Sequence, residues 1–263
     1  MIVMLQGRLG NQMFQVAFGK SVAAKRGEEI LFTKTRVEPR GEYGLDGFVT
    51  DIKYAPEESS ITFNEKCFFQ YDPDVFEAPR GATFDGFWQS EKYFNEELVR
   101  KEFILRNPLT EESQRVADEI QEAGDKSTFI GCRRNDEWQQ IPNLSLDLSY
   151  YTAAIDFVRQ RREGAKLFVF TDNPEWAAEN FPTFTLVNHT NWKQKYEDMQ
   201  LMSLCRNAVL ANSTFHWWGC WLGDRQSNRI CIAPKRWFAR GSEFERLRRD
   251  IIPSRWIEVP EGI

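Results

Sequence analysis

The sequence predicts an α/β fold in which parallel sheets carry helices on both faces, and two stretches of the chain lead to this prediction. Residues 2–5 form an apolar strand, a helical pattern follows and ends near Gly27, and residues 30–32 resume as a strand. From Thr128 onward, apolar strand-like segments alternate with amphipathic helical segments. Such alternation is typical of a doubly wound sheet, because each helix carries the chain back to start a parallel strand.

The individual elements are predicted from periodicity and from capping residues. In the first half, Asn11 is the expected N-cap of the first helix, further helices are expected over residues 95–103 and 111–123, and residues 35–85 show no regular pattern. In the second half, strands are predicted at residues 128–133, 167–171, 184–187, 208–211 and 229–233, with helices at residues 149–162 and 196–206, one opened by Pro174 and one after Thr214.

The composition argues against several classes of function. The 263 residues include 39 acidic and 34 basic side chains, and a net charge of −5 does not suit a protein that coats nucleic acid. Two histidines, and five cysteines without a C-x-x-C pair, do not suit a structural zinc site, so none is expected. The apolar N-terminal run meets Gln6 and Arg8 well before the ~20 apolar residues of a membrane span. We predict neither a span nor a signal peptide, and we expect a cytoplasmic protein.

Four loops are candidate ligand contacts, because ligands of doubly wound sheets bind beyond the carboxyl ends of the strands. The first loop contains Gly10 and Asn11. Glycine lets a ligand approach the backbone, and the Asn11 amide offers donors and an acceptor at a helix N-terminus. A tight turn capped by Asn11 is the alternative interpretation.

The second loop begins with Arg133, Arg134, Asn135 and Asp136 at the end of a predicted strand. Neighbouring strand residues point to opposite faces, so one arginine can meet a ligand while the other pairs inward, for example with Asp136. Against a diphosphate, a guanidinium at ~4 Å contributes about 4 kcal/mol of gross attraction per unit charge at an effective dielectric constant of about 20. A structural cluster of ion pairs is the alternative.

The third and fourth loops each precede a predicted helix. Asp172 or Asn173 suits the N-cap before Pro174, and Asp172 at a strand end can also touch a ligand. The fourth loop supplies backbone N–H groups and hydroxyls that can cradle a phosphate, from Asn212, Ser213, Thr214 and Phe215. Capping alone also explains both loops.

A competing signal is the D-x-D sequence of Asp72 and Asp74, a form that can bind a metal-held nucleotide-sugar diphosphate. Two carboxylates beside a proline are more often a solvated turn, and so short a motif also occurs by chance. We therefore expect a turn here rather than a metal site.

Several ordered segments of the chain resemble the bacterial-type α-1,2-fucosyltransferases, a glycosyltransferase family that uses GDP-fucose. Residues 7–15 resemble the family pattern G-x-L-G-N-Q-M-F-Q, and residues 86–94 resemble G-[YF]-[FW]-Q-S-E-K-Y-F. Residues 197–203 and 212–219 resemble E-D-[ML]-x-L-M-S and N-S-T-F-S-W-W-[GA]. The family's H-x-R-R-G-D shows one departure, since Gly131 and Asn135 replace its histidine and its glycine.

The resemblance implies an α/β fold of the GT-B type, with two Rossmann-like lobes that face a central cleft. An acceptor-side lobe is expected over residues 1–125 and a nucleotide-sugar lobe over residues 126–240, with residues 241–263 returning to the first lobe. The implied reaction is inverting transfer of L-fucose from GDP-fucose to a galactose-type hydroxyl, with no metal and no cofactor. The expected partners are therefore a nucleotide sugar and an acceptor glycan.

The same resemblance implies roles for individual residues. Catalysis is assigned to Arg133, Asp136 and Asn11, and donor binding to Gly10, Arg133, Arg134, Asp172, Asn212, Ser213, Thr214 and Phe215. Asp136 is the first choice for a general base, and a dissociative path in which the phosphate takes the proton is the alternative. Gly131 leaves two other functions open, a transferase of the same fold with another nucleotide sugar and a glycan-binding relative without turnover.

Overall fold

The computed structural model describes residues 1–40, 43–135, 140–188, 195–225 and 228–262. Asp136, the first choice for a general base, lies outside the described residues. The chain divides into two compact units. Unit 1 comprises Met1–Asn107 and Arg246–Pro253, and unit 2 comprises Pro108–Glu245 and Ser254–Ile263.

Unit 1 is built on four short parallel strands. They are β1 (Ile2–Met4), β2 (Leu31–Thr33), β3 (Thr62–Asn64) and β4 (Thr83–Asp85), in the sheet order β2-β1-β4-β3. The helices are α1 (Leu9–Arg26) and α2 (Glu96–Glu102), with 3-10 turns at Glu38–Arg40, Pro73–Phe76 and Glu91–Tyr93. Strands of three residues are too short to show an alternating pattern, which explains why residues 35–85 look irregular in the sequence.

Local residues fix both ends of α1. Arg8 occupies the N-cap in an extended conformation, so the prediction that Asn11 caps this helix is wrong. Gly7, at φ +68°, turns the chain just before Arg8 and lets the helix begin earlier. At the other end, Gly27 adopts the left-handed conformation at φ 61° and closes the helix, as predicted.

An aromatic cluster packs α1 against the sheet of unit 1. Trp88 is fully buried and stacks on Phe18 of α1 with ring centroids 4.3 Å apart. Phe84 of β4 lies against both rings, at 5.7 Å from Phe18 and 6.0 Å from Trp88. Burial of such large rings is the main stabilising contribution available to a sheet this small.

Unit 2 contains six parallel strands and most of the helices. The strands are β5 (Ser127–Cys132), β6 (Lys166–Thr171), β7 (Thr185–Val187), β8 (Asn207–Val209), β9 (Ile230–Pro234) and β10 (Ile257–Val259), in the order β10-β9-β8-β5-β6-β7. The helices are α3 (Glu111–Ala123), α4 (Leu148–Arg159), α5 (Pro174–Asn180), α6 (Lys195–Leu204) and α7 (Thr214–Gly223). A short helix, α8 (Glu243–Leu247), spans the boundary at which the chain passes from unit 2 to unit 1. A 3-10 turn at Gly124–Lys126 leads into β5.

The predicted α/β class with two parallel sheets is confirmed. Every strand pair between the named strands of the two sheets is parallel. All six residues of β5 are buried, as expected for a central strand with both faces covered. Among the described residues, none of the helices is long and apolar enough to cross a bilayer.

Candidate active site

The sheet of unit 2 reverses its strand order between β5 and β8. The chain moves outward from β5 through β6 to β7 on one side, and from β8 through β9 to β10 on the other. The loops that follow β5 and β8 therefore diverge, and this is where doubly wound sheets bind ligands. The predicted loops at Arg133 and Asn212 follow these two strands, and the loop at Asp172 follows the neighbouring strand β6.

Asp172 holds the guanidinium of Arg133 at the carboxyl end of β5. Nη1 of Arg133 lies 2.8 Å from Oδ2 of Asp172, and the two side chains keep 22% and 24% of their surface exposed. Oδ1 of Asp172 accepts a hydrogen bond of 2.5 Å from the backbone N–H of Arg134. One carboxylate thus orients both the loop after β5 and the Arg133 side chain, which still reaches solvent and can meet an anion.

Arg134 is the arginine that packs inward. Its guanidinium lies 4.1 Å from the centre of the Trp176 ring, and its Nη2 donates to the carbonyl oxygen of Leu146. Its own carbonyl oxygen accepts a hydrogen bond of 3.3 Å from Nδ2 of Asn173. Arg134 therefore shapes the loop after β5 through contacts with an aromatic ring and with the backbone.

The N-terminus of α7 follows β8 in the chain. Ser213 occupies the N-cap, but its hydroxyl makes no capping hydrogen bond. Ser213, Thr214 and Phe215 are half-buried. A helix of ten residues presents N–H groups and a partial positive charge at this end, which suits a phosphate group.

Asn212 precedes the N-cap of α7 and is buried, with only 2% of the residue exposed. Its Nδ2 donates to the carbonyl oxygens of Leu144 at 2.9 Å and Trp237 at 3.0 Å. These two bonds tie the end of β8 to two other loops of unit 2. The donor groups of its amide are therefore bound to the protein's own backbone.

In unit 1, β1 and β4 are the two central, neighbouring strands, and the predicted residues Gly10 and Asn11 follow β1. Gly10 is buried in the first turn of α1. Oδ1 of Asn11 accepts a hydrogen bond of 2.9 Å from Nε2 of Gln89, beyond the end of β4. Nε2 of Gln15 donates to the carbonyl oxygen of Gly86 at 3.1 Å. These amides connect the segments that follow the two central strands of unit 1.

Asp72 and Asp74 form a turn. Oδ1 of Asp72 accepts a hydrogen bond of 2.9 Å from the backbone N–H of Asp74 and caps the 3-10 turn that follows. Nζ of Lys66 lies 3.5 Å from the Asp72 carboxylate and 2.5 Å from that of Asp74. Within the described ranges, no cluster of three or more His, Cys, Asp or Glu side chains is placed to hold a metal ion.

A comparison with protein families decides which chemistry this arrangement belongs to. Residues 67–260, which include Arg133, Asp172 and α7, match the family described as "Glycosyl transferase family 11". The chain belongs to glycosyltransferase family 11. The resemblance inferred from the motifs is confirmed, and the protein is a glycosyltransferase of the fucosyltransferase type.

Relatives of this family 11 glycosyltransferase are named for different sugars. The chain is 29% identical to an alpha-1,2-colitosyltransferase of Escherichia coli, over 98% of each chain. It is 35% identical to the Escherichia coli O-antigen biosynthesis glycosyltransferase WbnK, over 90% of this chain and 80% of the relative. It is 32% identical to galactoside alpha-(1,2)-fucosyltransferase 1 of Gorilla gorilla gorilla, over 82% of this chain and 63% of the relative. A solved structure of NodZ alpha-1,6-fucosyltransferase soaked with GDP-fucose is similar at 16% identity and a TM-score of 0.47, over 84% of this chain and 92% of NodZ.

Sequence reasoning missed Glu65, which follows β3 in unit 1 of the transferase. Only 8% of the residue is exposed, and its carboxylate accepts hydrogen bonds from the backbone N–H groups of Phe87 at 2.7 Å and Trp88 at 3.2 Å. Burial raises the pKa of Glu65 to about 7, although these backbone hydrogen bonds lower it. A Cβ at Gly86 would lie 2.5 Å from the Cβ of Glu65, so the glycine of the G-F-W segment was the available signal.

Sequence reasoning also missed the contact between Gly131 of β5 and His216 in the first turn of α7. A Cβ built on Gly131 would lie 2.6 Å from Cγ of the imidazole. Burial and, to a smaller extent, the charge of Arg133 lower the pKa of His216 to about 3. The imidazole of His216 is therefore neutral near pH 7.

Proposed function

We propose that this family 11 glycosyltransferase moves L-fucose from GDP-fucose to a hydroxyl, O2 of a galactose-type acceptor, with inversion and without a metal ion. The fucosyltransferase motifs support this proposal because they occur in order along the chain. A 32% identical relative named a galactoside alpha-(1,2)-fucosyltransferase supports it further. The observation that carries the proposal is the Arg133–Asp172 pair at the reversal point of unit 2.

The departing GDP sets the main chemical demand on the site. Transfer through an oxocarbenium-like transition state needs stabilisation of the leaving diphosphate more than a strong nucleophile. The guanidinium of Arg133 follows β5, and the N–H groups of α7 follow β8, the neighbouring strand. Both kinds of donor are held in place before the reaction, so little reorganisation is needed as negative charge develops on the diphosphate.

The acceptor hydroxyl must lose a proton as the glycosidic bond forms. The resemblance assigns this proton to Asp136, and the alternative is a dissociative path in which a phosphate oxygen of the leaving group takes it. The Asp136→Asn variant separates the two paths. A fall in kcat of about 100-fold or more is expected if Asp136 is the base, since general bases contribute about 100- to 10,000-fold.

A donor panel tests the proposed substrate. Purified protein is incubated with a galactoside and with GDP, UDP and dTDP sugars in turn, and release of the nucleoside diphosphate is measured. We expect turnover with GDP-fucose, and a loss of about 100- to 1,000-fold in Arg133→Ala, typical of removing a preorganised charge-stabilising donor. Arg133→Lys is the matched control, because it keeps the charge and loses the planar fork. NMR of the product reports the linkage and the anomeric configuration.

A second candidate donor is the GDP sugar of colitose. This alternative is favoured by the colitosyltransferase, which matches 98% of this chain. Colitose lacks the 3-hydroxyl group of L-fucose. The ratio of kcat/KM for the two GDP sugars decides between them, and a higher value for the 3-deoxy sugar would replace fucose in the proposal.

Two further outcomes of the panel would overturn the proposal. Turnover with only a UDP or dTDP sugar would identify a transferase of the same fold with another donor. Retained glycan binding without turnover of any donor would identify a non-catalytic relative.

A metal-independent reaction is the remaining chemical expectation. We expect full activity in EDTA and in the Asp72→Asn/Asp74→Asn variant. Activity that needs Mn²⁺ in the native chain, and that is lost in this variant, would contradict this expectation.

We also propose roles for the two units and a location for the protein. Unit 2 holds the nucleotide sugar, and unit 1 supplies acceptor contacts. A cytoplasmic location is part of the same proposal. Truncated acceptors tested against variants in residues 43–64 would show whether unit 1 affects acceptor KM while donor KM stays constant.

A further inference from the structure

Glycine is the residue type that fits position 131 in β5. A Cβ there would lie 2.6, 2.7 and 2.8 Å from the Cγ, Nδ1 and Cδ2 atoms of His216, distances that side chains do not adopt. Gly131 does not have a positive φ, so the requirement is for space and not for backbone freedom. The imidazole of His216 therefore fills the volume that a side chain at position 131 would occupy.

His216 carries a polar atom that nothing in the described part of the chain satisfies. The residue is 4% exposed, and its Nδ1 atom is buried without a hydrogen-bond partner among the described residues. Burial and the charge of Arg133 keep the ring neutral by lowering its pKa to about 3. Buried polar atoms are almost always paired, so this unpaired nitrogen is available for a hydrogen bond to a ligand atom.

The position of His216 places this atom at the donor site. Arg133 follows β5 two residues after Gly131, and its charge contributes to the lowered pKa of His216, so it lies near the imidazole. His216 lies against Gly131 and belongs to the first turn of α7, whose N-terminus has no side-chain cap. The histidine, the guanidinium and the helix N-terminus thus belong to one site at the reversal point of the sheet.

The family patterns have other residues at these two positions. The H-x-R-R-G-D pattern has histidine where this chain has Gly131, and the N-S-T-F-S-W-W pattern has serine where this chain has His216. The patterns thus have a histidine at the β5 position and a small residue at the α7 position, the reverse of this chain. The structure shows that the two positions are in direct contact.

We propose that His216 is a donor-binding residue of this transferase, and that its imidazole donates a hydrogen bond to the diphosphate that Arg133 binds. In this chain the histidine at this contact belongs to α7, whereas the family pattern has a histidine at the β5 position. This inference rests on the proposed function, since it assumes a nucleoside diphosphate donor.

Three variants separate hydrogen bonding from packing. His216→Phe keeps a ring against Gly131 and removes both nitrogens. His216→Ser opens a cavity, and Gly131→His introduces a clash with the native imidazole. The double variant Gly131→His/His216→Ser restores one histidine and one small residue in the other order. Trp221→Phe is the matched control, because it makes another buried ring of α7 smaller and does not change His216 or Gly131.

The readouts are Kd for GDP and for guanosine, and Tm for each variant. We expect His216→Phe to keep a Tm near that of the native chain and to bind GDP about 10- to 100-fold more weakly, as for loss of a hydrogen bond to a charged group. Its affinity for guanosine, which has no phosphate, should stay unchanged. The double variant should bind GDP more tightly and melt at a higher temperature than either of its single variants. Trp221→Phe should lower Tm and leave Kd for GDP unchanged.

Two results would overturn the proposal. Native GDP affinity in His216→Phe would show that the imidazole only fills space. Equal losses of GDP and guanosine affinity would show that it does not contact the diphosphate. If the native chain binds UDP or dTDP instead of GDP, the proposed donor fails, and the same comparison made with that nucleotide and its nucleoside still decides the role of His216.

Discussion

Asp172 lies 2.8 Å from the guanidinium of Arg133, across the carboxyl ends of two neighbouring strands, β6 and β5. The same carboxylate accepts the backbone N–H of Arg134. Because the carboxylate is held at two points, the orientation of the Arg133 side chain is fixed by the sheet and does not depend on the ligand.

This relationship predicts how the Asp172→Ala variant behaves. We expect kcat/KM for the donor to fall about tenfold, because Arg133 loses the carboxylate that orients it. Steady-state GDP release is measured in Arg133→Ala, in Asp172→Ala and in the double variant. If Asp172 acts through Arg133, the double variant is no slower than Arg133→Ala. If the fold loss of kcat/KM in the double variant equals the product of the two single losses, the two residues act separately.

Glu65 predicts a pH dependence of stability. Its pKa is about 7 in the folded chain and 4.5 in the reference state, so the folded state binds more protons between these values. Glu65 therefore contributes to the free energy of unfolding, and this contribution is fully present below pH 4.5. It declines by about 3 kcal/mol in total as the pH rises to 7, and it is constant above that pH. Urea denaturation at a series of pH values measures it.

The Glu65→Gln variant isolates this contribution. His216 has a lowered pKa of about 3, so its own contribution changes in the opposite direction, rising between about pH 3 and 6.5. The difference between the native chain and Glu65→Gln cancels the His216 term. A difference that is flat from pH 4.5 to 7 would contradict the raised pKa.

Asn212 predicts a loss of stability that is unrelated to donor chemistry. Asn212→Ala removes its hydrogen bonds to the carbonyl oxygens of Leu144 and Trp237, and the Leu144 oxygen keeps only a bond of 3.3 Å from Nη1 of Arg236. We expect the free energy of unfolding to fall by about 2 kcal/mol, because two buried hydrogen bonds are lost. Asn180→Ala is the control, since Asn180 is half-buried and donates to one carbonyl oxygen of its own helix. An equal loss in the two variants would argue against a special role for Asn212.

The left-handed conformation of Gly27 lets us predict how much stability is lost when α1 ends without glycine. A Cβ at this position would meet no atom within 4 Å, so Gly27→Ala changes only the strain at φ +61°. We expect a loss of about 1 kcal/mol in the free energy of unfolding. Gly27→Asn should lose less, because asparagine tolerates the left-handed conformation. Equal stability of all three chains in urea would contradict the assignment.

Unit 2 could be predicted well because its signals are local. The prediction of a helix over residues 111–123 matches α3, and the predicted strands at 128–133 and 167–171 match β5 and β6 within one residue. Asn11 was placed wrongly because its side chain bonds to Gln89, far away in the sequence. A local capping rule does not describe such a contact.

The sequence by itself determined the α/β class, the four loops at strand ends and, through ordered motifs, the glycosyltransferase family. Periodicity, caps and glycine stops act over a few residues, so they can be read along the chain. Only the tertiary structure decided that β8 pairs with β5 and that Asp172 holds Arg133. It also placed His216 against Gly131, because strand order and side-chain contact join residues that are distant in the chain.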